Sequence, residues 1–130
     1  FQNRMAQDKL VADAQASKFD YSQLIKVQPE PWNQTRAACR QLETLFEKAG
    51  IRFVIAVFPM ISELGDHYPY AGLHDRVQKF CTAEDIEFLD LLPRFRGQSD
   101  VDLWVHPRDQ HPNHVGNQWI AEELHRFLAL

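Results

Sequence analysis

One continuous apolar segment sets the architecture of this chain: Ile51-Arg52-Phe53-Val54-Ile55-Ala56-Val57-Phe58-Pro59. Arg52 is its only charged residue, and Gly50 and Pro59 bound it. A strand with one face in water alternates apolar and polar residues, whereas a parallel strand covered on both faces is apolar throughout. The sequence therefore predicts a buried, central strand over residues 52–58.

Helical patterns flank this strand. Before it, Pro31 suits the first turn of a helix and Gly50 is placed to end that helix. The apolar stripe of this helix has helical spacing and consists of Ala38, Leu42, Leu45, Phe46 and Ala49. After the strand, residues 73–81 carry a second stripe, and residues 86–92 predict a second strand that stops at Pro93.

A closing amphipathic helix is predicted over residues 115–128, with Asn113 available as its N-cap. Strands that alternate with helices are typical of a parallel sheet with right-handed crossovers. A parallel sheet is normally covered by helices on both faces, and two strands supply too little surface for helices on both sides. We therefore expect residues 1–130 to be a single partial domain, the C-terminal βαβα part of a larger α/β domain. Its polar lead-in, residues 1–30, is weakly patterned: the composition of residues 4–16 permits a helix, and residues 20–28 are expected to form a connector that ends at Pro29 and Pro31.

The partial domain implies a partner that completes the sheet. An upstream segment of the same protein, or a second copy of the chain, would supply the missing strands. Residue 1 is Phe, with no initiator Met and no signal pattern behind it, so the sequence leaves the cellular compartment open.

Composition argues against several classes of partner. Fourteen Lys and Arg against eighteen Asp and Glu give a net charge of −4 without any block of like charge, so no nucleic-acid surface is predicted. The longest apolar run holds nine residues, and a membrane-spanning helix needs about 17–25. The two cysteines, Cys39 and Cys81, lie at apolar positions without metal-knuckle spacing and fit buried free thiols.

The polar residues that follow the second strand form the candidate site. Ligands of open α/β sheets bind outside the carboxyl ends of the strands. Beyond that end the chain carries Asp109, His111 and Pro112 at a helix entrance. Side chains two apart in an extended segment point the same way, so Asp109 can reach one imidazole nitrogen of His111 while the other faces outward. This is the acid and base half of a hydrolase triad. The simpler alternative is a surface loop in which Asp109 caps a turn and His111 is solvated.

Two further chemical interpretations compete with the dyad. His106, Asp109, His111 and His114 lie close enough in sequence to suggest zinc, but their spacing straddles two prolines and no single helix face, so no metal site and no cofactor is predicted. Ser62 is the serine that follows a strand end, but it lacks the glycines of a nucleophile turn. The other histidines, His67, His74 and His125, are expected on the polar surface.

The C-terminal segment resembles the last conserved block of the SGNH/GDSL hydrolases. The resemblance covers about residues 30–130 and rests on Asp109-Gln110-His111-Pro112-Asn113 with Gly116 and Ile120-Ala121, and upstream on Pro31-Trp32, Gly50-Ile51, Phe58-Pro59, Tyr68-Pro69-Tyr70 and Leu89-Asp90-Leu91-Leu92-Pro93. It implies a three-layer α/β/α, flavodoxin-like fold with parallel strands. It also implies that His111 is the catalytic base and Asp109 its acidic partner, with Asp100 or Asp102 as a substitute acid because the commoner family spacing is D-x-x-H.

The resemblance implies that the complete protein is an esterase, lipase or deacetylase with a Ser-His-Asp mechanism. The Gly-Asp-Ser and Gly-x-Asn-Asp blocks that carry nucleophile and oxyanion hole in the family are missing from the 130 residues, so they are expected upstream of Phe1. The substrate would be a small-molecule, carbohydrate or lipid ester. Three aromatic residues near the loops, Tyr68, Tyr70 and Trp104, are expected to border its pocket. The alternative from another class is a non-catalytic α/β module that binds carbohydrate or protein.

Overall fold

The structure is a computed structural model that describes Met5 and residues 29–129. The predicted lead-in helix or connector before residue 29 lies outside the described residues. The described residues fall into two compact units: a sheet unit of residues 29–58 and 70–90, and a hairpin unit of residues 59–69 and 91–129. Helix and strand are both present, so the chain has a mixed α/β fold.

The sheet unit consists of a parallel pair of strands joined by a helix. Its elements are α1 (Pro29–Lys48), β1 (Val54–Val57), α2 (Ala71–Ala83) and β2 (Glu87–Asp90). β1 and β2 pair parallel, with Val54 opposite Glu87 and Val57 opposite Asp90. The predicted parallel pair and its helical connection are confirmed. Both strands are shorter than predicted, because pairing covers four residues of each.

The prediction of a fully buried strand is wrong. All four residues of β1 are only half-buried, and Phe58 just beyond the strand is 53% exposed. In the described residues β1 has one strand neighbour, β2, so the two-stranded sheet leaves much of its apolar surface uncovered.

The predicted face of α1 also needs correction. Leu42 and Leu45 were expected to lie on the packed stripe, but Leu45 is 62% exposed and Leu42 is exposed too, as is Ala38. The core contacts come from Trp32, which meets Phe80 edge to face, and from Phe46, which stacks on Phe53. The apolar face of α1 is therefore wider than the surface that it packs against. Only its aromatic side, with Trp32 and Phe46, contacts the core.

The core of the sheet unit is small and aromatic. Phe80, Cys81 and Ile86 are its buried members. Cys39 and Cys81 are free thiols, as predicted, although Cys39 is half-buried rather than buried. Burial raises the pKa of the Cys81 thiol, and the nearby Cys39 adds to that effect.

Gly50 ends α1 as the sequence predicts. It adopts a left-handed backbone with φ of +67°. Its N–H donates to the Glu47 carbonyl at 3.0 Å, and the Ile51 N–H donates to the Phe46 carbonyl at 2.9 Å. These two bonds form a Schellman motif, which satisfies the last carbonyls of the helix and turns the chain towards β1.

The hairpin unit contains a short antiparallel hairpin where the sequence predicted only a loop. Its elements are α3 (Leu92–Phe95), a 3₁₀ turn (Val101–Leu103), β3 (Trp104–His106), β4 (Asp109–Pro112) and α4 (His114–Leu128). Asn113 is the N-cap of α4, as predicted. No helix within the described residues is long and apolar enough to span a membrane.

Candidate functional site

The hairpin of β3 and β4 positions the predicted acid and base. Trp104 lies opposite Pro112, and His106 lies opposite Asp109. Two steps along β3 therefore match three steps along β4, so β4 carries one extra residue between these pairs. This is a β-bulge, a device that redirects side chains and breaks regular alternation. Gln110 and His111 lie within the bulge.

Asp109 and His111 are in direct contact. His111 Nδ1 lies 2.5 Å from Asp109 Oδ1, and the backbone N–H of His111 donates to the same oxygen at 3.1 Å. The carboxylate thus caps a local turn and holds the imidazole ring at the same time. The predicted pairing and the simpler turn-capping alternative are both present in one contact.

The dyad is open to solvent. The His111 side chain is 86% exposed and that of Asp109 is 49% exposed. With its proton on Nδ1, the ring donates to Asp109 and presents Nε2 as an acceptor. Nε2 has no hydrogen-bond partner within residues 29–129. The hydrogen bonds from the His111 ring and backbone hold the pKa of Asp109 below its usual range.

The two substitute acids have other roles. Asp100 accepts the backbone N–H groups of Glu63 and Val101, each at 2.9 Å. Asp102 contributes its backbone carbonyl, which accepts the Asn113 amide at 2.8 Å. Among the described residues, the carboxylate that contacts His111 is that of Asp109.

The histidine cluster shows no arrangement for a metal ion. His106 Nδ1 accepts the backbone N–H of Arg108 at 3.2 Å, so this nitrogen closes the hairpin turn. His114 is the exposed first residue of α4. No group of three or more His, Cys, Asp or Glu side chains that could hold a metal occurs in the part of the chain that the structure describes.

The aromatic residues predicted to border a pocket lie in the interior. Tyr68, Tyr70 and Trp104 are all buried. The Tyr68 hydroxyl donates to the Met60 carbonyl at 3.2 Å, and the Trp104 indole N–H donates to the Ile61 carbonyl at 2.5 Å. Tyr68 and Trp104 thus hold the chain that follows β1, and all three aromatic residues offer a substrate little surface. Their role in a pocket stays a prediction.

Ser62 lies in the same segment and is 8% exposed. Its backbone N–H donates to the Met60 carbonyl at 2.8 Å, and the next residue, Glu63, has a left-handed backbone with φ of +54°. The segment is strained and tightly held, but the serine side chain is covered. This burial disfavours Ser62 as a nucleophile for an external ester.

The structure adds two support residues that the sequence pattern did not assign to the site. Asn113 caps α4 by accepting the Val115 and Gly116 N–H groups at 3.0 and 3.2 Å. A Cβ at Gly116 would lie 3.0 Å from the Cβ of Pro112, so any larger residue there would require Pro112 or α4 to shift. The spacing Asn113-x-x-Gly116 was visible in the sequence, but the close approach was not.

The prediction that His74 lies on the polar surface is wrong. It is 5% exposed, and its Nδ1 lies 2.7 Å from Asp90 Oδ1. Asp90 ends β2 and His74 lies in the first turns of α2, so this pair ties the crossover helix to its strand. The signal was the helical spacing of His74 relative to Val77 and Cys81, which places it on the inner side of α2.

Comparisons of the chain with protein-family models, curated proteins and solved structures find no match. The geometry of Asp109 and His111 is therefore the basis for assigning a function. A carboxylate that fixes an imidazole by Nδ1 and leaves Nε2 outward is equipped to take a proton from a hydroxyl group and return it.

Proposed function

We propose that the chain supplies the base and the acid of a serine ester hydrolase of the SGNH type. The contact between His111 Nδ1 and Asp109 Oδ1, with the rest of the ring exposed, is the observation that carries the proposal. The resemblance of the Asp109–Asn113 block to that superfamily adds to it. The same proposal includes a flavodoxin-like, three-layer fold, which the parallel pairing of β1 and β2 supports.

The chemistry assigns one task to each side chain. His111 Nε2 takes the proton of a serine hydroxyl as the serine attacks the ester carbonyl, and it then donates that proton to the leaving alcohol. Asp109 holds the Nδ1 proton and stabilises the imidazolium between these two steps. Water, deprotonated by the same imidazole, then hydrolyses the acyl-serine. The substrate is an O-acyl or carboxyl ester of a small molecule, carbohydrate or lipid.

The nucleophile in this proposal is a serine of the Gly-Asp-Ser type. The 130 residues contain no such tripeptide. The exposed imidazole of His111 leaves room for a second segment to bring the hydroxyl to Nε2. In this proposal that segment is the upstream part of the same protein, because a second copy of the chain would bring no Gly-Asp-Ser serine.

The test is ester hydrolysis by the protein of the complete open reading frame, measured with a p-nitrophenyl acyl ester. His111→Ala removes the base and is expected to lower kcat by on the order of 10³-fold or more, with KM nearly unchanged. The matched control is His114→Ala, which removes an exposed histidine three residues along the chain and is expected to keep kcat within about twofold.

Two results would contradict the proposal. Full activity of His111→Ala would show that the imidazole is not the base. Stoichiometric labelling of the 130-residue chain at Ser62 by a fluorophosphonate would show that the nucleophile lies within it. A complete protein that neither hydrolyses esters nor reacts with the fluorophosphonate would favour the non-catalytic binding module.

A further inference from the structure

Asn113 connects the end of β4 to three consecutive carbonyl groups on the approach to β3. Its side-chain amide donates to the Asp102 carbonyl at 2.8 Å and to the Trp104 carbonyl at 3.4 Å. Its backbone N–H donates to the Leu103 carbonyl at 2.7 Å. The other half of the same side chain, Oδ1, caps α4. One residue therefore joins the 3₁₀ turn, both strands and the closing helix.

This connection lies next to the β-bulge that carries His111. The pair of Trp104 and Pro112 bounds the bulge on one side, and Asn113 directly follows Pro112. The hydrogen bond from the Asn113 side-chain amide to the Trp104 carbonyl therefore holds the strand register at that boundary. On the other side the boundary is the pair of His106 and Asp109, which encloses the two-residue turn.

The residue types of the hairpin do little by themselves to fix its register. Pro107 and Pro112 have no backbone N–H to donate. The turn lacks the Asn-Gly or Asp-Gly pair that specifies a two-residue hairpin turn. A slip by one residue moves every side chain of a strand to the opposite face, and a bulged strand has a regular alternative register close by.

We infer that Asn113 is a positioning residue for the dyad: its amide group keeps the bulged register in which Asp109 and His111 meet. The role in catalysis rests on the proposed function, whereas the role in orienting the imidazole does not. The cap of α4 uses Oδ1 and the register uses Nδ2, so the two roles can be separated by substitution.

Asn113→Asp separates them. An aspartate keeps an oxygen for the Val115 and Gly116 N–H groups and is as good an N-cap as asparagine. Its second oxygen faces the Asp102 and Trp104 carbonyls, where an acceptor meets acceptors and no hydrogen bond forms. Asn113→Ser is the second variant: it caps α4 with an uncharged hydroxyl and is too short to make the bridge.

The measurement is ¹⁵N NMR of the imidazole nitrogens in the histidine-labelled complete protein, with the His111 signals assigned from the spectrum of His111→Ala. In both Asn113 variants the His111 signals are expected to move from the Nδ1-protonated form towards those of Asp109→Asn, while the helix signal in circular dichroism is retained. The matched control is Asn33→Asp, the same chemical change in α1, where Oδ1 accepts from Arg36 Nη2. It is expected to leave the His111 signals unchanged.

The kinetic readout accompanies the spectra. If the register is lost, kcat for ester hydrolysis falls by on the order of 10²-fold in both variants with little change in KM, the size expected when a catalytic group is misplaced by about 1 Å. Unchanged His111 signals in Asn113→Asp and Asn113→Ser would overturn the inference. Altered signals in a protein without esterase activity would retain the positioning role and refute the proposed function.

Discussion

Asp109 shows how an exposed carboxylate acquires a specific role. It accepts both the ring and the backbone N–H of His111 through one oxygen. These hydrogen bonds favour the ionised form, which is why the pKa of Asp109 lies below its usual range although the side chain is about half exposed to water. The unfolded chain does not hold this geometry, so the unfolded state binds a proton at higher pH than the folded state.

We therefore expect a definite pH dependence for Asp109→Asn. The free energy of unfolding of the wild type should exceed that of the variant above the ordinary pKa of aspartate, and the difference should vanish as the pH falls through the lowered pKa of the folded state. Urea unfolding at a series of pH values from about 7 to about 2 measures this difference. In a His111→Ala background the pH dependence should be smaller but not zero, because the backbone N–H at position 111 still donates to Asp109. A dependence of undiminished size would assign the effect to another partner.

The buried pair of His74 and Asp90 makes a prediction about stability. His74→Ala removes the hydrogen bond between α2 and the end of β2 and leaves space in the interior. We expect a loss of about 1–3 kcal/mol in the free energy of unfolding. His125→Ala, an exposed histidine of α4, is the control and should change it by less than about 0.5 kcal/mol. An equal, small effect of both substitutions would show that the His74 contact contributes nothing to folding.

Among the elements, those with a period and an end signal were predictable from the sequence. α1 with Gly50, the parallel pair of β1 and β2, and the cap of α4 follow from apolar spacing and single turn residues. The hairpin of β3 and β4 was not predicted, because two prolines and several polar residues give it neither alternation nor a turn signature. The exposed face of α1 was missed for a different reason: periodicity identifies an apolar arc, but only packing decides which edge of the arc is covered.

A substitution at Gly50 tests the predicted end of α1. Gly50→Ala places a side chain at a φ of +67°, which costs about 1 kcal/mol in the free energy of unfolding. Gly72→Ala in α2 is the matched control: a Cβ there meets no atom within 4 Å, so the substitution is expected to be neutral or slightly stabilising. Opposite signs in urea unfolding would support the Schellman cap. A stabilising Gly50→Ala would contradict it.

For the whole molecule, the described residues leave an unusual amount of apolar surface uncovered. Leu42, Leu45, Ile51 and Phe58 are exposed, and all four belong to the sheet unit. The residues of β1 are only half-buried. Isolated apolar residues are common on protein surfaces, but a sheet of only two strands with exposed apolar neighbours buries little surface that could stabilise it.

We expect the 130-residue chain on its own to self-associate or to unfold without a sharp transition. Sedimentation velocity at several protein concentrations would show species larger than a monomer, or urea unfolding followed by circular dichroism would be broad. A monomer at all concentrations with one cooperative transition would contradict this expectation. It would also show that the surface on α1 and β1 needs no partner.

The bulge in β4 has a consequence for variation in the gene. A bulge is the place where a strand accommodates one residue more than its partner, so the gain or loss of a single codon there is absorbed locally and the pairs on either side keep their places. Between Asp109 and His111 the chain has one residue, Gln110. In-frame length changes at this codon would alter the number of residues between acid and base while the turn at Pro107 and the cap at Asn113 stay in register. The strand pairs of Trp104 with Pro112 and of His106 with Asp109 can therefore keep their places while the spacing between acid and base changes.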